Sequence, residues 1–297
     1  MRLDRGATSL AKTRLCVPVP TVQLVTRPRV LDLLDDAIAH PVTLVTGGAG
    51  AGKSMAVADW ARRRPTPGPV VWASLTASDA DERRLRATIV AAASAVLGED
   101  TLRLAEGDDA ERTAAFMALL GERQVVLVLD DVHEIERGGA IALLESVTRH
   151  PPAGVHLVLV SRHDPPLSLH RLRVSGQLGD VRAADLAFTA EEARLLLGDL
   201  ALPDAALDHL LATTEGWATG LRLAHMALSA ADDPTAAALA SLANIRWRSY
   251  RVPAVSALIV FGGAFVFAVA YPALFQRFYV KPNELQLETP YIQHNIA

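Results

Sequence analysis

Apolar positions along the first 230 residues repeat with two different periods. Runs that are apolar at nearly every position occur at 42–46, 70–75, 125–129 and 155–160, and a more mixed run follows at 177–182. Short unbroken runs of this kind predict strands of a parallel sheet that is covered on both faces. Between them, the stretches 55–64, 79–97, 110–120 and 138–149 carry the longer spacing of amphipathic helices. Strand followed by helix, repeated, predicts an α/β fold with a five-stranded parallel sheet and helices on both faces. After the sheet, 189–200, 203–213 and 216–229 predict a small helical bundle, each start marked by Thr189, Pro203 or Gly216. Such a bundle serves as a lid or as packing.

The pattern changes once more near the end. Residues 254–275 are 22 consecutive positions without a charge. At about 1.5 Å per residue they reach ~33 Å, the thickness of a hydrocarbon core, and predict one transmembrane helix. Arg246, Arg248 and Arg251 precede it with Trp247 and Tyr250, and Arg277 and Lys281 follow. Three basic residues against two place the N-terminal side in the cytoplasm.

Composition sharpens this division. All four Tyr, all three Asn and five of the seven Phe lie in the last 54 residues. Ahead of them the chain is built from Ala, Leu, Val, Arg and Asp, with Lys only at Lys12 and Lys53. Two compositions are joined near residue 243. The overall hydrophobic share of 51% is therefore an average over unlike parts. The net charge of −4 offers no basic excess for nucleic acid. Cys16 is the single cysteine, which excludes an intramolecular disulfide and a thiolate metal cluster. The nine His show no zinc-ligand spacing, and the first twenty residues hold no apolar run of the length a secretory signal needs.

The chemistry concentrates after the first strand. Gly47-Gly48-Ala49-Gly50-Ala51-Gly52-Lys53-Ser54 stands between strand and helix and fits G-x-x-x-x-G-K-[ST], the phosphate-binding P-loop. Glycines there let backbone N–H groups turn around phosphates, and the new helix aims its positive end at them. Lys53 would reach the β- and γ-phosphates and Ser54 would ligate Mg²⁺. The run 125–129 ends in Asp130-Asp131, where a strand reaches the ligand edge of a parallel sheet. Asp130 is the candidate Mg²⁺ holder, and Asp131 a candidate to orient or deprotonate attacking water. Arg162, at the end of 155–160, is placed to sense a γ-phosphate or to be an ordinary surface residue before a turn. Ser161, His163 and Asp164 are neighbours in one turn, an arrangement unlike a hydrolase triad.

These residues carry a resemblance. Val25-Thr26-Arg27-Pro28-Arg29, the P-loop, Val128-Leu129-Asp130-Asp131-Val132-His133, the segment from Ser161 to Leu167, the segment from Ala183 to Thr189 and Thr214-Glu215-Gly216-Trp217-Ala218-Thr219-Gly220-Leu221 resemble the ATPase region of the large LuxR-type, maltose-regulator-like transcription activators. These are signal-transduction ATPases of the STAND class, and the likeness covers about residues 15–242. It implies ATP or ADP with Mg²⁺ between sheet and lid, an on/off switch, slow hydrolysis and self-association. It also implies that Val25 and Arg27 lie near the adenine. The family's Gly-Trp-Pro reads Gly216-Trp217-Ala218 here, which removes the rigid proline expected beside the base. No 34-residue sensor repeat and no helix-turn-helix are visible, so no direct DNA binding is expected.

The tail resembles a second, unrelated group through Lys281-Pro282-Asn283-Glu284-Leu285 and Pro290-Tyr291-Ile292. It looks like the junction between the last span and the extracytoplasmic region of large, uncharacterised bacterial multi-span membrane proteins. The plan read from the chain is an N-terminal extension at 1–24, a P-loop NTPase domain at 25–185 and a helical lid at 186–242. A junction at 243–253, a transmembrane helix at 254–275 and an extracytoplasmic tail fragment at 276–297 complete it. The function expected is an ATPase module of a LuxR-type regulator, held by one span in the cytoplasmic membrane with the ATPase domain in the cytoplasm. The alternative is a chimeric or truncated gene product without dedicated function.

Overall fold

Strand β1 (Val42–Thr46) is buried at all five positions, as a central strand must be. In the computed structural model, which describes residues 14–20, 24–98, 110–200 and 202–230, it pairs in parallel with β4 (His156–Ser161) on one side and with β5 (Leu178–Val181) on the other. Strands β3 (Val126–Asp130) and β2 (Val70–Ser74) extend the sheet beyond β4, giving the order β2-β3-β4-β1-β5. The register sets Thr46 opposite Ser161 and Ser74 opposite Asp130, which brings the C-terminal ends of the strands to one edge. Ligands of open parallel sheets bind at that edge.

Alternation along the strands separates two cores. Leu44, Leu127, Leu129, Leu157 and Leu159 face one side, where they meet α3 (Glu82–Leu97), α5 (Ala140–Arg149) and Phe116 and Leu120 of α4 (Ala110–Glu122). Val45, Val126, Val128, Val158 and Val160 face the other, against α1 (Pro28–Ile38) and α2 (Lys53–Arg63). The fully buried Trp60 of α2 packs on this valine face while its indole N–H donates to Asp35 of α1 at 2.7 Å. Helices thus cover both faces of the sheet, as the strand and helix pattern predicts.

Element ends follow local chemistry. Asp81 caps α3 by accepting from the backbone of Arg83 and Arg84. Thr189 and Glu192 form a capping box at α8 (Ala190–Leu196), after the short α6 (Leu169–Val174) and α7 (Ala183–Leu186). The predicted helix 189–200 is interrupted: α8 ends at Leu196 and a 3₁₀ turn occupies Gly198–Leu200. Helices α9 (Asp204–Thr214) and α10 (Ala218–Ser229) complete the bundle. Helix α1 is absent from the sequence-based reading, although its buried Val30, Leu31, Leu34, Ala37 and Ile38 keep helical spacing behind Pro28 at the first turn.

The predicted span 254–275, the junction 243–253, the tail 276–297 and the end of the lid at 231–242 lie outside the described residues. Among the described residues no helix is long and apolar enough to cross a membrane.

Candidate nucleotide-binding site

The P-loop is built as its residue types require. Gly50 and Gly52 have φ of +72° and +85°, a region that side-chain-bearing residues rarely adopt, and Gly52 leads directly into α2. Lys53, the first residue of that helix, is buried, and its ammonium donates to the carbonyls of Gly47 at 2.7 Å and Gly48 at 3.0 Å. Burial lowers its pKa, and Asp130 and Asp131 oppose that shift.

Across the sheet edge, the Ser54 hydroxyl donates to Asp130 Oδ1 at 2.9 Å, and the backbone N–H of Asp131 donates to the same oxygen at 3.0 Å. Asp130 is 4% exposed, and burial together with neighbouring Asp131 raises its pKa to about 6 against the pull of those two hydrogen bonds and Lys53. Asp131 takes a left-handed backbone, φ +60° and ψ +41°, unusual for a residue with a side chain. That turn sends the chain away from the strand and leaves Asp131 on the cavity wall.

A cavity of about 480 Å³ opens over these groups, a size typical of small-molecule sites. Gly50, Gly52, Lys53 and Ser54 form one end, with Asp131 and Arg162 beside them. Val25, Val30 and Leu31 supply an apolar wall beside the Arg27 guanidinium, and Phe188, Ala218 and Thr219 close it from the bundle. Of the remaining sequence-predicted residues, Ala49 lines the cavity, Gly47 and Ala51 are buried, Gly48 is exposed outside the cavity lining, and Asp130 is reached through Ser54.

Arg27 joins this wall to the lid. Its carbonyl accepts the first backbone bonds of α1, from Val30 and Leu31, and its guanidinium donates to Leu186 O at 2.7 Å beneath the Phe188 ring, 4.5 Å from the centroid. Arg29 extends the tie to the carbonyls of Asp185 and Ala187.

The turn after β4 disperses its polar side chains. His163 pairs with Glu136 at 3.2 Å, Asp164 pairs with Arg173 and Arg182, and the Ser161 hydroxyl is fully buried without a protein partner. Arg182 also bonds Thr46 Oγ1 at 3.0 Å, so the cluster ties the end of β1 to the turn that carries Arg162. The Arg182 hydrogen bond, with Arg173 behind it, holds the Asp164 carboxyl below the ordinary range.

Sequence reasoning missed Phe188 and Thr219 as cavity residues. Both lie in segments noted for their resemblance, yet neither is a residue type that announces ligand chemistry. With Ala218 in place of the proline, the lid bonds the P-loop: Trp217 Nε1 donates to Ala49 O at 2.9 Å, and Thr219 reaches Gly50 O through its hydroxyl at 2.9 Å and its backbone N–H at 3.2 Å.

Comparisons with known proteins also divide the chain in two, the second match beginning at residue 224, ahead of the change in composition near 243. The family described as "Uncharacterised protein family (UPF0182)" matches residues 224–297. A UPF0182 protein of Cupriavidus necator is 74% identical over 62 residues, 21% of this chain and 7% of that protein. The serine/threonine-protein kinase PknK of Mycobacterium tuberculosis is 31% identical over 237 residues, 73% of this chain and 21% of the kinase. The HTH-type transcriptional regulator MalT of Serratia proteamaculans is 32% identical over 233 residues, 74% of this chain and 25% of the regulator. The chain thus spans a quarter or less of the length of these relatives. About three quarters of it resembles a region of the MalT-type, LuxR-type regulators and of PknK, and its last quarter resembles UPF0182.

Proposed function

We propose that the α/β sheet and its lid bind ATP or ADP with Mg²⁺ as the nucleotide-switch module of a STAND-type regulator. The observation that carries this is Lys53 and Ser54 side by side in the cavity lining, with buried Asp130 behind them holding the Ser54 hydroxyl at 2.9 Å. A hydroxyl and a carboxylate side by side are the hard oxygen donors that Mg²⁺ takes, so the residues fit the ion. When bound, Mg²⁺ would neutralise charge on the phosphate oxygens.

The chain's own residues divide the remaining work. The apolar wall at Val25, Val30 and Leu31 takes the base, and the N-terminus of α2 faces the phosphates. Lys53 already donates to two loop carbonyls, so phosphate oxygens replace acceptors it has and no free ammonium has to be created. Asp131 and Arg162 line the same cavity, where Asp131 would orient water and Arg162 would report a third phosphate. In this reading hydrolysis is slow and times the switch, and self-association follows the nucleotide state.

Binding of ADP and ATP to the full chain, wild type against Lys53→Ala, tests the reading. Loss of affinity in the variant supports it, and equal affinity overturns it. In the same proposal residues 254–275 anchor the chain in the cytoplasmic membrane with the ATPase on the cytoplasmic side. Deleting them should move the protein from the membrane to the soluble fraction. No retardation of promoter DNA by this chain is expected at physiological salt.

A second reading is a chimeric or truncated gene product. Two unconnected sets of relatives, one at 31–32% identity and the other at 74%, meet within one chain. Sequencing genomic DNA and transcript across residues 236–252 discriminates the two: a frameshift or break supports this reading, and a continuous transcript with a membrane-associated, ATP-binding product supports the first.

A further inference from the structure

Helix α10 begins without a cap of its own. Trp217 stands at its N-cap position and makes no side-chain cap bond. The P-loop supplies the acceptors instead: Gly50 O receives both the backbone N–H and the hydroxyl of Thr219, and Ala49 O receives the indole N–H of Trp217. The fit is close, because a Cβ added at Gly50 would stand 2.3 Å from Thr219 Oγ1 and 3.1 Å from the Trp217 ring. Three donors from the lid therefore hold two consecutive carbonyls at the tip of the loop.

This matters because the loop is poor in intrinsic order. Gly47, Gly48, Gly50 and Gly52 leave many backbone states open, and ordering such residues costs more than ordering any others. A peptide group is planar, so holding the carbonyls of Ala49 and Gly50 also sets the direction of the following N–H groups, at Gly50 and Ala51. The Gly50 N–H is of the kind from which a phosphate cradle is made, and the Ala51 N–H closes the loop on Gly48 O at 3.2 Å.

We propose that Thr219 and Trp217 are positioning residues for the phosphates: from 169 and 168 residues away they pre-order the P-loop backbone, and nucleotide phosphates bind more tightly because the lid is seated. The proposal rests on the nucleotide reading above. It deepens that reading by making the lid a determinant of phosphate affinity, separate from the wall that meets the base.

Titration of the full chain with ADP and, separately, with adenosine tests it, using Thr219→Val, Thr219→Ser and Trp217→Phe beside wild type and Lys53→Ala. Removing one such hydrogen bond should weaken ADP about tenfold, with adenosine within about twofold of wild type. Thr219→Ser, which keeps the hydroxyl, should restore ADP binding. Unchanged ADP affinity in both Thr219→Val and Trp217→Phe overturns the proposal, as does equal weakening of ADP and adenosine, which marks a merely structural role. If wild type and Lys53→Ala bind ADP alike, the nucleotide reading itself fails and takes the proposal with it.

Discussion

Asp130→Asn should stabilise the metal-free, nucleotide-free protein while removing its response to Mg²⁺. Asp130 is 4% exposed with a carboxyl pKa of about 6, against an ordinary value of 3.8. The raised value means that the folded state holds a proton more firmly than the unfolded chain. Its contribution is therefore fully present below about pH 4 and is lost as the pH rises through about 6. A shift of about two units corresponds to roughly 3 kcal/mol above pH 7 and about half of that at pH 5. Asparagine keeps an oxygen for Ser54 and for the Asp131 N–H, since both bonds go to Oδ1, and carries no charge to desolvate. The assay is chemical denaturation in EDTA at pH 5 and pH 7.5, followed through the buried Trp60 and Trp72. The variant should exceed wild type by the larger margin at pH 7.5. An Asn variant no more stable than wild type at pH 7.5, or a margin independent of pH, refutes the reasoning. The same variant should lose the Mg²⁺-dependent part of nucleotide affinity, a trade of stability against function that binding sites commonly show.

Further substitutions probe the frame around the site. Gly179→Ala should lower stability by about 1–3 kcal/mol with an unchanged denaturant slope, because a Cβ there would stand 2.3 Å from Ala37 O and 2.7 Å from Ala37 Cα, where α1 crosses β5. Ala218→Pro should raise stability by ~0.4–1 kcal/mol: the position is the first of α10, and Trp217 before it already has the extended ψ of 119° that a following proline demands. A drop in the denaturation midpoint of that variant would contradict the assignment.

Much of the sheet is legible in the sequence because its signals are local. Runs such as 125–129 are apolar on both alternations, and the structure shows why: Val126 and Val128 enter one core while Leu127 and Leu129 enter the other. The P-loop is legible for the same reason, being a contiguous string with one backbone solution. Contacts set by strand order are not. The pairing of Asp164 with Arg173 and Arg182 exists because β5 lies beside β1, and neither apolar spacing nor a motif records that adjacency. Helix α1 illustrates a different loss: its spacing is plain, but Pro28 and the motif around Arg27 draw attention to the loop before it. The lid contacts join positions 168 and 169 residues apart, a distance over which residue type alone says nothing.

The missing lid proline shows how one contact can be kept by different means. A proline at the first position of a helix contributes rigidity: it limits the unfolded chain and starts the helix at a fixed φ. Ala218 contributes none of that, yet α10 starts directly at it, because Glu215 and Gly216 turn through left-handed conformations and the Trp217 N–H closes on Thr214 O at 2.8 Å. Order comes from hydrogen bonds on either side of the position. The physical consequence is a difference in coupling. Rigidity from a proline ring persists whether or not the loop is in place, whereas a helix capped by Gly50 O loses its cap whenever the P-loop rearranges. In this chain the start of α10 and the shape of the phosphate cradle are therefore stabilised by the same bonds, and a change in either must be felt by the other.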